Sequence, residues 1–399
     1  MAIETDTKIG VFFGSRSPEH DVSIVTAGLV IAGLKNLGYT TVPIYISKEG
    51  RWYISEELGN IDFFKDPNYE KKLGSLPTYS LSTDKMGKEM VFKEEGIFSK
   101  KEISINVAFP AMHGVYGEDG TIQGLFEMFG IPYVGCDVAT SAIAMDKVLT
   151  KIFYEHYDIP TTEFISFTEE EWGEYKEDIL SQIKNIGLPV FIKPARTGSS
   201  IGITNAKNKE ELEMGIEVAF HYDQKVLVER AVENLADLTV CVMGNGNPEA
   251  SLIQESRFNK DFFSYTDKYI EDGGAQTGRA TKNIIIPAEI DEESTKRIRN
   301  MARDIFVMFE CSGIARVDFL MNRETGKVYA NEINTLPGTL YHHLWRESGV
   351  STAQLLKNLT RFAKERNKKR GRITRTFQSD ILKNIGDGKL SQKLDTSTD

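Results

Sequence analysis

The sequence predicts a mixed α/β fold: an open parallel α/β unit at the N-terminus, then two α+β units in which strands and helices are interspersed. Three observations lead there. The chain opens as strand, glycine turn, helix and strand. Its last third mixes strands with one long helix. Between Ala315 and Thr335, two alternating runs flank a polar turn.

Residues 8–13 read as the first strand, about 22–37 as a helix and 41–46 as a second strand, the order of an open parallel sheet. Residues 48–101 are polar and weakly periodic and are expected to form an elaborated connection. Order returns with the apolar run 103–110, a helix over 120–130 and a short strand at 132–134. A second unit begins near Ser141 with a helix to about Tyr157, which Ile159-Pro160-Thr161 terminates. Residues 169–186 read as another helix, and Gly187-Leu188-Pro189 leads into a strand at 190–193. From about Asn234 a third unit has strands at 238–243, 284–287 and 313–320 and a helix over 291–309. The expected divisions are 1–140, 141–233, 234–362 and a basic, flexible tail at 363–399. That tail carries seven basic residues against one acid between Lys364 and Arg375. Such a run reads as a solvated helix end, or as a contact for a partner or an anionic surface.

Composition narrows the function. A chain of 399 residues with 40% apolar and 27% charged residues can bury a large core. The net charge of −10 argues against a general nucleic-acid binder, which needs an excess of cations to neutralise phosphates. Cys136, Cys241 and Cys311 are too few and too scattered for a disulfide framework or a zinc site, and are expected to be buried and reduced. No segment approaches the ~20 apolar residues of a membrane span. The N-terminus has neither the basic start nor the apolar run of a signal peptide, so the expected location is cytoplasmic.

The hairpin near the C-terminus carries the densest chemistry. If Asn322-Arg323-Glu324-Thr325-Gly326-Lys327 turns about Thr325, Asp318 lies opposite Glu332 and Arg316 opposite Asn334. Period-2 alternation then places all four on one face. Two readings are open: a solvated hairpin with scattered charges, or a face of hard oxygen ligands for Mg²⁺, which takes water and phosphates as its remaining ligands. Upstream, Lys193-Pro194-Ala195-Arg196-Thr197-Gly198-Ser199-Ser200-Ile201-Gly202 places a lysine before a glycine- and serine-rich loop. A Walker loop has the opposite order. The segment is either an ordinary glycine turn or a flap folding over phosphates, with Lys193 supplying charge. The strand end Val228-Glu229-Arg230-Ala231-Val232 could form an adenine slot in which Glu229 orients the base.

Taken in order, these pieces resemble the D-alanine–D-alanine ligase family of the ATP-grasp superfamily over roughly residues 8–360. The resemblance rests on Phe13-Gly14-Ser15-Arg16-Ser17-Pro18-Glu19-His20-Asp21-Val22-Ser23, on His113-Gly114 with Gly117-Glu118-Asp119-Gly120, and on Met145-Asp146-Lys147. It continues through Lys193 to Gly202, Lys268-Tyr269, Arg316-Val317-Asp318 and Glu332-Ile333-Asn334-Thr335-Leu336-Pro337-Gly338. It implies ATP-driven dipeptide formation through an acylphosphate, with small D-amino acids as substrates, two Mg²⁺ ions (Mn²⁺ as substitute) on Asp318, Glu332 and Asn334, and a homodimer. Lys147, Lys193 and Lys268 match lysines that contact phosphates. Glu229, Ala231, Val232 and Asp237 match the adenine and ribose contacts. Glu19 would bind the first D-alanine's ammonium, in a network with Ser199 and Tyr269 that closes a lid over 259–281. Arg316 and the Gly338 N–H fit the site that stabilises the tetrahedral intermediate. Val22, His113 and His343 complete the implied substrate set.

Structural readings stand beside these. Glu19 precedes a helix, where an acid suits the macrodipole anyway. His113 could bond locally, and Tyr269 could simply pack. The match also departs from the family pattern. His343 stands where a serine holds the second substrate's carboxylate, which leaves open a D-hydroxy acid or another D-amino acid as second substrate. Asp237 replaces the more frequent glutamate, and Ser264 stands where an aspartate more often precedes the first lid tyrosine. A non-catalytic ATP-binding protein is the remaining alternative, opposed by the intact set of Glu19, Lys147, Lys193, Arg316, Asp318, Glu332 and Asn334.

Overall fold

The computed structural model describes residues 7–96, 99–257 and 284–379. Its first sheet runs Trp52–Ile54, Thr40–Ile46, Lys8–Gly14, Val107–Pro110. The inner pairs are parallel and the Trp52–Ile54 edge antiparallel. Ile9, Val11 and Phe13 enter one core beneath the helix His20–Asn36, while Phe12 enters the opposite core. There its ring meets Phe126 of the helix Thr121–Phe129, with centroids 4.9 Å apart. A strand covered on both faces carries no polar alternation, which is why its sequence reads as a continuous apolar run.

The connection over 48–101 holds more structure than its composition suggested. It supplies the edge strand Trp52–Ile54 and, with Glu102–Ile105, a separate antiparallel sheet of Tyr79–Ser82 and Met90–Glu94. These strands of three to five residues are too short to show a clear period. The apolar run 103–110 divides at Asn106 between two strands of different sheets. The stretch 132–134 makes only a bridge, between Ala108 and Tyr133.

Two antiparallel sheets follow. One has the order Thr204–Ala206, Val190–Pro194, Lys225–Arg230, Phe164–Thr168. Its core takes Ile179 and Ile183 from the helix Lys176–Ile186, and Leu212 and Ile216 from Lys209–Phe220. The other has the order Ile284–Ile285, Glu249–Ser256, Leu235–Gly244, Gly313–Asn322, Val328–Asn334. It is backed by the helix Glu292–Met308 through Ile298, Ala302, Ile305 and Phe306. The helix expected from Ser141 to Tyr157 is in fact two, Val138–Met145 and Lys147–His156. Asp146 separates them because its carboxylate accepts the N–H groups of Val148 and Leu149, which starts a new helix at Lys147.

The basic run begins as a docked helix end. The helix Thr352–Arg370 buries Leu355, Leu356 and Leu359 in the core shared with Val30 and Leu34 of His20–Asn36. Arg366 donates to the carbonyls of Tyr133 (3.0 Å) and Gly135, and Arg370 pairs with Glu127. Among the described residues, no helix is long and apolar enough to cross a membrane.

Candidate active site

The hairpin has the register that alternation demands: Arg316 pairs with Asn334 and Asp318 with Glu332. Arg316 Nε lies 2.9 and 3.0 Å from the two Asp318 carboxylate oxygens, and its Nη2 lies 2.6 Å from Oδ2. Glu332 stands 3.5 Å from the same guanidinium. Thr239 Oγ1 donates to Asp318 at 2.8 Å, and Asn334 Nδ2 at 3.3 Å. Burial pushes the Asp318 carboxyl up, with Glu332 adding to the shift and Arg316 opposing it. Burial disfavours the Arg316 cation, yet Asp318 holds its pKa well above the usual value.

A bulge interrupts the register. Asp318 faces Glu332 but Phe319 faces Ala330, leaving Asn331 as the extra residue. Its amide oxygen accepts from Lys193 Nζ at 3.3 Å. Asn331 was missed in the sequence because a bulge depends on the partner strand and strict alternation would turn this residue away from the site.

Lys193 lies on Val190–Pro194 and forms an ion pair with Glu229, which sits on the neighbouring strand Lys225–Arg230. Glu229 also pairs with Lys151 at 2.7 Å and accepts from Thr162 Oγ1 at 2.7 Å. Burial opposes ionisation of Glu229, but the two lysines hold its carboxyl far below the usual range. Lys147 opens its helix with its backbone N–H on the Ala195 carbonyl (2.9 Å) and its Nζ on the Thr197 carbonyl, under the glycine loop.

The glycine loop reaches the N-terminal unit through Ser199, whose hydroxyl donates to the Glu19 carboxylate. A Cβ on Gly198 would sit 2.5 Å from Glu19 Oε2, so any side chain there would displace the Glu19 carboxylate. Gly114, at φ +67°, closes on the same carboxylate and leaves no room for a side chain. Glu118, to which the sequence reading gave no role, lies beside Glu19 and accepts from the N–H groups of Gly114 (2.9 Å) and Leu336 (3.3 Å). Burial and the Glu19 charge push its carboxyl up to about 8. His113 is buried, lowered to about 4 by that burial, and bonded through Nε2 to Thr26 Oγ1 at 2.8 Å. Thr26 in turn accepts from the Thr339 N–H at 3.1 Å. Gly338 is therefore flanked by two backbone groups held from the N-terminal unit.

Some expected site residues lie elsewhere. His343 lines neither site cavity. Its Nε2 bonds Gln254 at 2.8 Å, and burial lowers its pKa to about 4, so it is a neutral packed imidazole rather than a cation awaiting a carboxylate. The turn ahead of it explains this. Thr339, Leu340 and Tyr341 all adopt left-handed φ, from 46° to 56°, which reorients the chain after Gly338. Val22 is buried within its helix and Ala231 bonds Pro189 through its backbone, and neither is among the described residues that line these two cavities. Lys268, Tyr269 and the expected lid fall outside the described residues.

Two adjoining cavities share this geometry. One is lined by Glu19, His113, Glu118, Ser199, Arg316 and Gly338. The other, the larger of the two, is lined by Lys193, Glu229, Val232, Asp237, Asp318 and Asn331, among others. Lys147, Arg316 and Glu332 border both. One cavity thus offers cations and an apolar edge, suited to a nucleotide, and the other paired carboxylates and an arginine, suited to an amino acid. Among the described residues no three His, Cys, Asp or Glu side chains gather as a metal cluster. Asp318, Glu332 and Asn334 offer two carboxylates and an amide on one face, hard donors that fit a magnesium ion completed by phosphate and water.

Comparison with known proteins identifies the family. The family model for the D-ala D-ala ligase N-terminus matches residues 8–136, and that for the C-terminus matches 153–361. The D-alanine–D-alanine ligase of Clostridium acetobutylicum is 37% identical over 365 residues, covering 90% of this chain and 98% of that protein. The Thermosipho melanesiensis enzyme is 38% identical over 378 residues, covering 94% and 98%. Among solved structures, the D-alanine-D-alanine ligase of Coxiella burnetii superposes with a TM-score of 0.75 at 29% identity, covering 92% of this chain and 96% of that one. The VanG D-Ala:D-Ser ligase of Enterococcus faecalis gives 0.74 at 33% identity, covering 90% and 99%. With both family models matched in order on the geometry above, the chain belongs to the D-alanine–D-alanine ligase family of ATP-dependent ligases and has the ATP-grasp fold.

Proposed function

We propose that the chain joins two D-alanine molecules into the dipeptide used for peptidoglycan, consuming one ATP. The observation that carries this reading is the meeting of Glu19, Ser199 and Arg316 in one cavity, directly beside the Lys147/Lys193 cavity. ATP lies in the larger cavity, with its base near Val232, its ribose near Asp237 and its phosphates against Lys147 and Lys193. Asp318, Glu332 and Asn334 would hold two Mg²⁺ ions, which would supply positive charge against the charge developing on the phosphates. Glu19 takes the ammonium of the first D-alanine. That substrate's carboxylate oxygen attacks the γ-phosphorus and ADP leaves, giving an acylphosphate. The amine of the second D-alanine then forms the new C–N bond as the C–O bond to phosphate breaks. No protein nucleophile is needed, so the chain supplies position and charge. Arg316 and the Gly338 N–H stabilise the oxyanion of the tetrahedral intermediate.

The test is phosphate release from Mg·ATP with D-alanine alone and then with D-serine, D-lactate or L-alanine added, identifying products by mass. D-Ala-D-Ala from D-alanine alone is the expected result. Turnover only with a second partner would replace the function by that of a mixed ligase. The homodimer implied by the family is read from the solution mass by light scattering.

A further inference from the structure

Lys151 follows Lys147 by four residues, so the two share a helix face. Lys147 borders the nucleotide cavity, whereas Lys151 does not line it and is 1% exposed. A lysine this deep needs its charge accounted for. Its Nζ lies 2.7 Å from Glu229 Oε2, 2.7 Å from Thr162 Oγ1 and 2.8 Å from Thr161 Oγ1. From there the connections run in two directions. Through Glu229 they reach Lys193, the cation facing the cavity. Through Thr161, whose hydroxyl donates to the Ala330 carbonyl at 3.0 Å, they reach the metal-side hairpin. The Ala330 N–H is also taken, by the Pro160 carbonyl at 2.7 Å. Ala330 is the last residue before the bulge, and the bulged Asn331 accepts from Lys193. The path closes on itself: Lys193, Glu229, Lys151, Thr161, Ala330, Asn331, Lys193.

We propose that Lys151 is a positioning residue for nucleotide binding, fixing Lys193 through Glu229 and tying it to the bulge that sets the Asp318/Glu332 face. This ring joins the two halves of the nucleotide cleft through Lys151 and Thr161, which do not line the nucleotide cavity. The second Glu229 oxygen is held by the Lys151 ammonium and by the Thr162 hydroxyl, and the first faces Lys193. That leaves the first oxygen to aim Lys193. The inference rests on reading Lys193 as a phosphate contact.

The experiment is steady-state kinetics of the full-length chain, varying ATP and D-alanine separately. Lys151→Met keeps the length and removes the charge. It is expected to raise the KM for ATP roughly tenfold while the KM for D-alanine stays within about twofold, the scale at which misplacing a binding group acts. A merely structural role would lower the active fraction, hence the apparent kcat, and leave the KM for ATP unchanged. That result overturns the proposal. Thr161→Val, which cuts the ring at its other side with little change of shape, is expected to raise the same KM about threefold. It decides the matter if Lys151→Met fails to fold. Lys193→Ala separates the two layers of the argument. If it leaves the KM for ATP unchanged, the phosphate reading falls and this proposal with it. If it raises that KM while the Lys151 and Thr161 variants do not, only the positioning role is overturned.

Discussion

Glu118 illustrates how much chemistry one side chain takes from its surroundings. It lies beside Glu19, and its two oxygens face two backbone N–H groups. Its carboxyl is raised from 4.5 to about 8 by burial and by Glu19. The folded state therefore keeps a proton that the unfolded chain releases above about pH 4.5. The associated stability is complete below that value and is lost as pH rises through about 8. Glu118→Gln holds the side chain neutral at every pH and adds only a pH-independent offset from the altered acceptor. The melting-temperature difference between variant and wild type should shift in favour of the variant from pH 5 to 8. A flat difference across that window would mean that Glu118 is ionised throughout. His113 and His343, both lowered to about 4 by burial, make the folded state less stable as pH falls from about 6.5 towards 4, a dependence common to variant and wild type.

At the scale of elements, the decisive features are interruptions. Asp146 breaks a continuous apolar period and makes Lys147 the first residue of a new helix, with the Lys225 ammonium 2.6 Å from the capping carboxylate. Asp146→Ala is expected to cost about 1–2 kcal/mol through the lost cap, read as a shifted denaturation midpoint, and to raise the KM for ATP because the helix that starts at Lys147 loses its cap. A lowered midpoint with an unchanged KM would separate the cap from the site. The bulge at Asn331 and the left-handed turn at Thr339–Leu340–Tyr341 act in the same way: each re-aims a side chain that regular geometry would send elsewhere. Three successive non-glycine residues in the left-handed region are costly, on the order of 1 kcal/mol each. All three are buried, and the Thr26 hydroxyl accepts the first N–H.

Over the whole molecule, the C-terminal helix binds the first unit to the last. Its leucines enter the core beneath His20–Asn36, a core that also takes Cys241, Ile314 and Trp345 from the unit that begins near Asn234. Arg366 fastens the helix end to two carbonyls, and its guanidinium lies 4.2 Å from the Tyr133 ring centre. Arg366→Ala should destabilise the chain by about 1–3 kcal/mol, the range for hydrogen bonds to a charged group, seen as a lower urea midpoint with an unchanged slope. No change would mean that the leucine contacts alone hold the helix.

Periodicity and spacing by themselves determined the parallel opening sheet, the hairpin register that joins Asp318 to Glu332, and the cation-then-glycine order of Lys193 to Gly202. These depend on local alternation and on chain order, which a sequence carries directly. The tertiary structure alone decided the rest. It buried the charge of Lys151 behind Glu229, raised Glu118 beside Glu19, inserted Asn331 at a bulge and turned His343 onto Gln254. It also made the start of a basic run into a docked helix. Each of these depends on which distant groups share one low-dielectric space, and that is a property of packing between segments up to hundreds of residues apart.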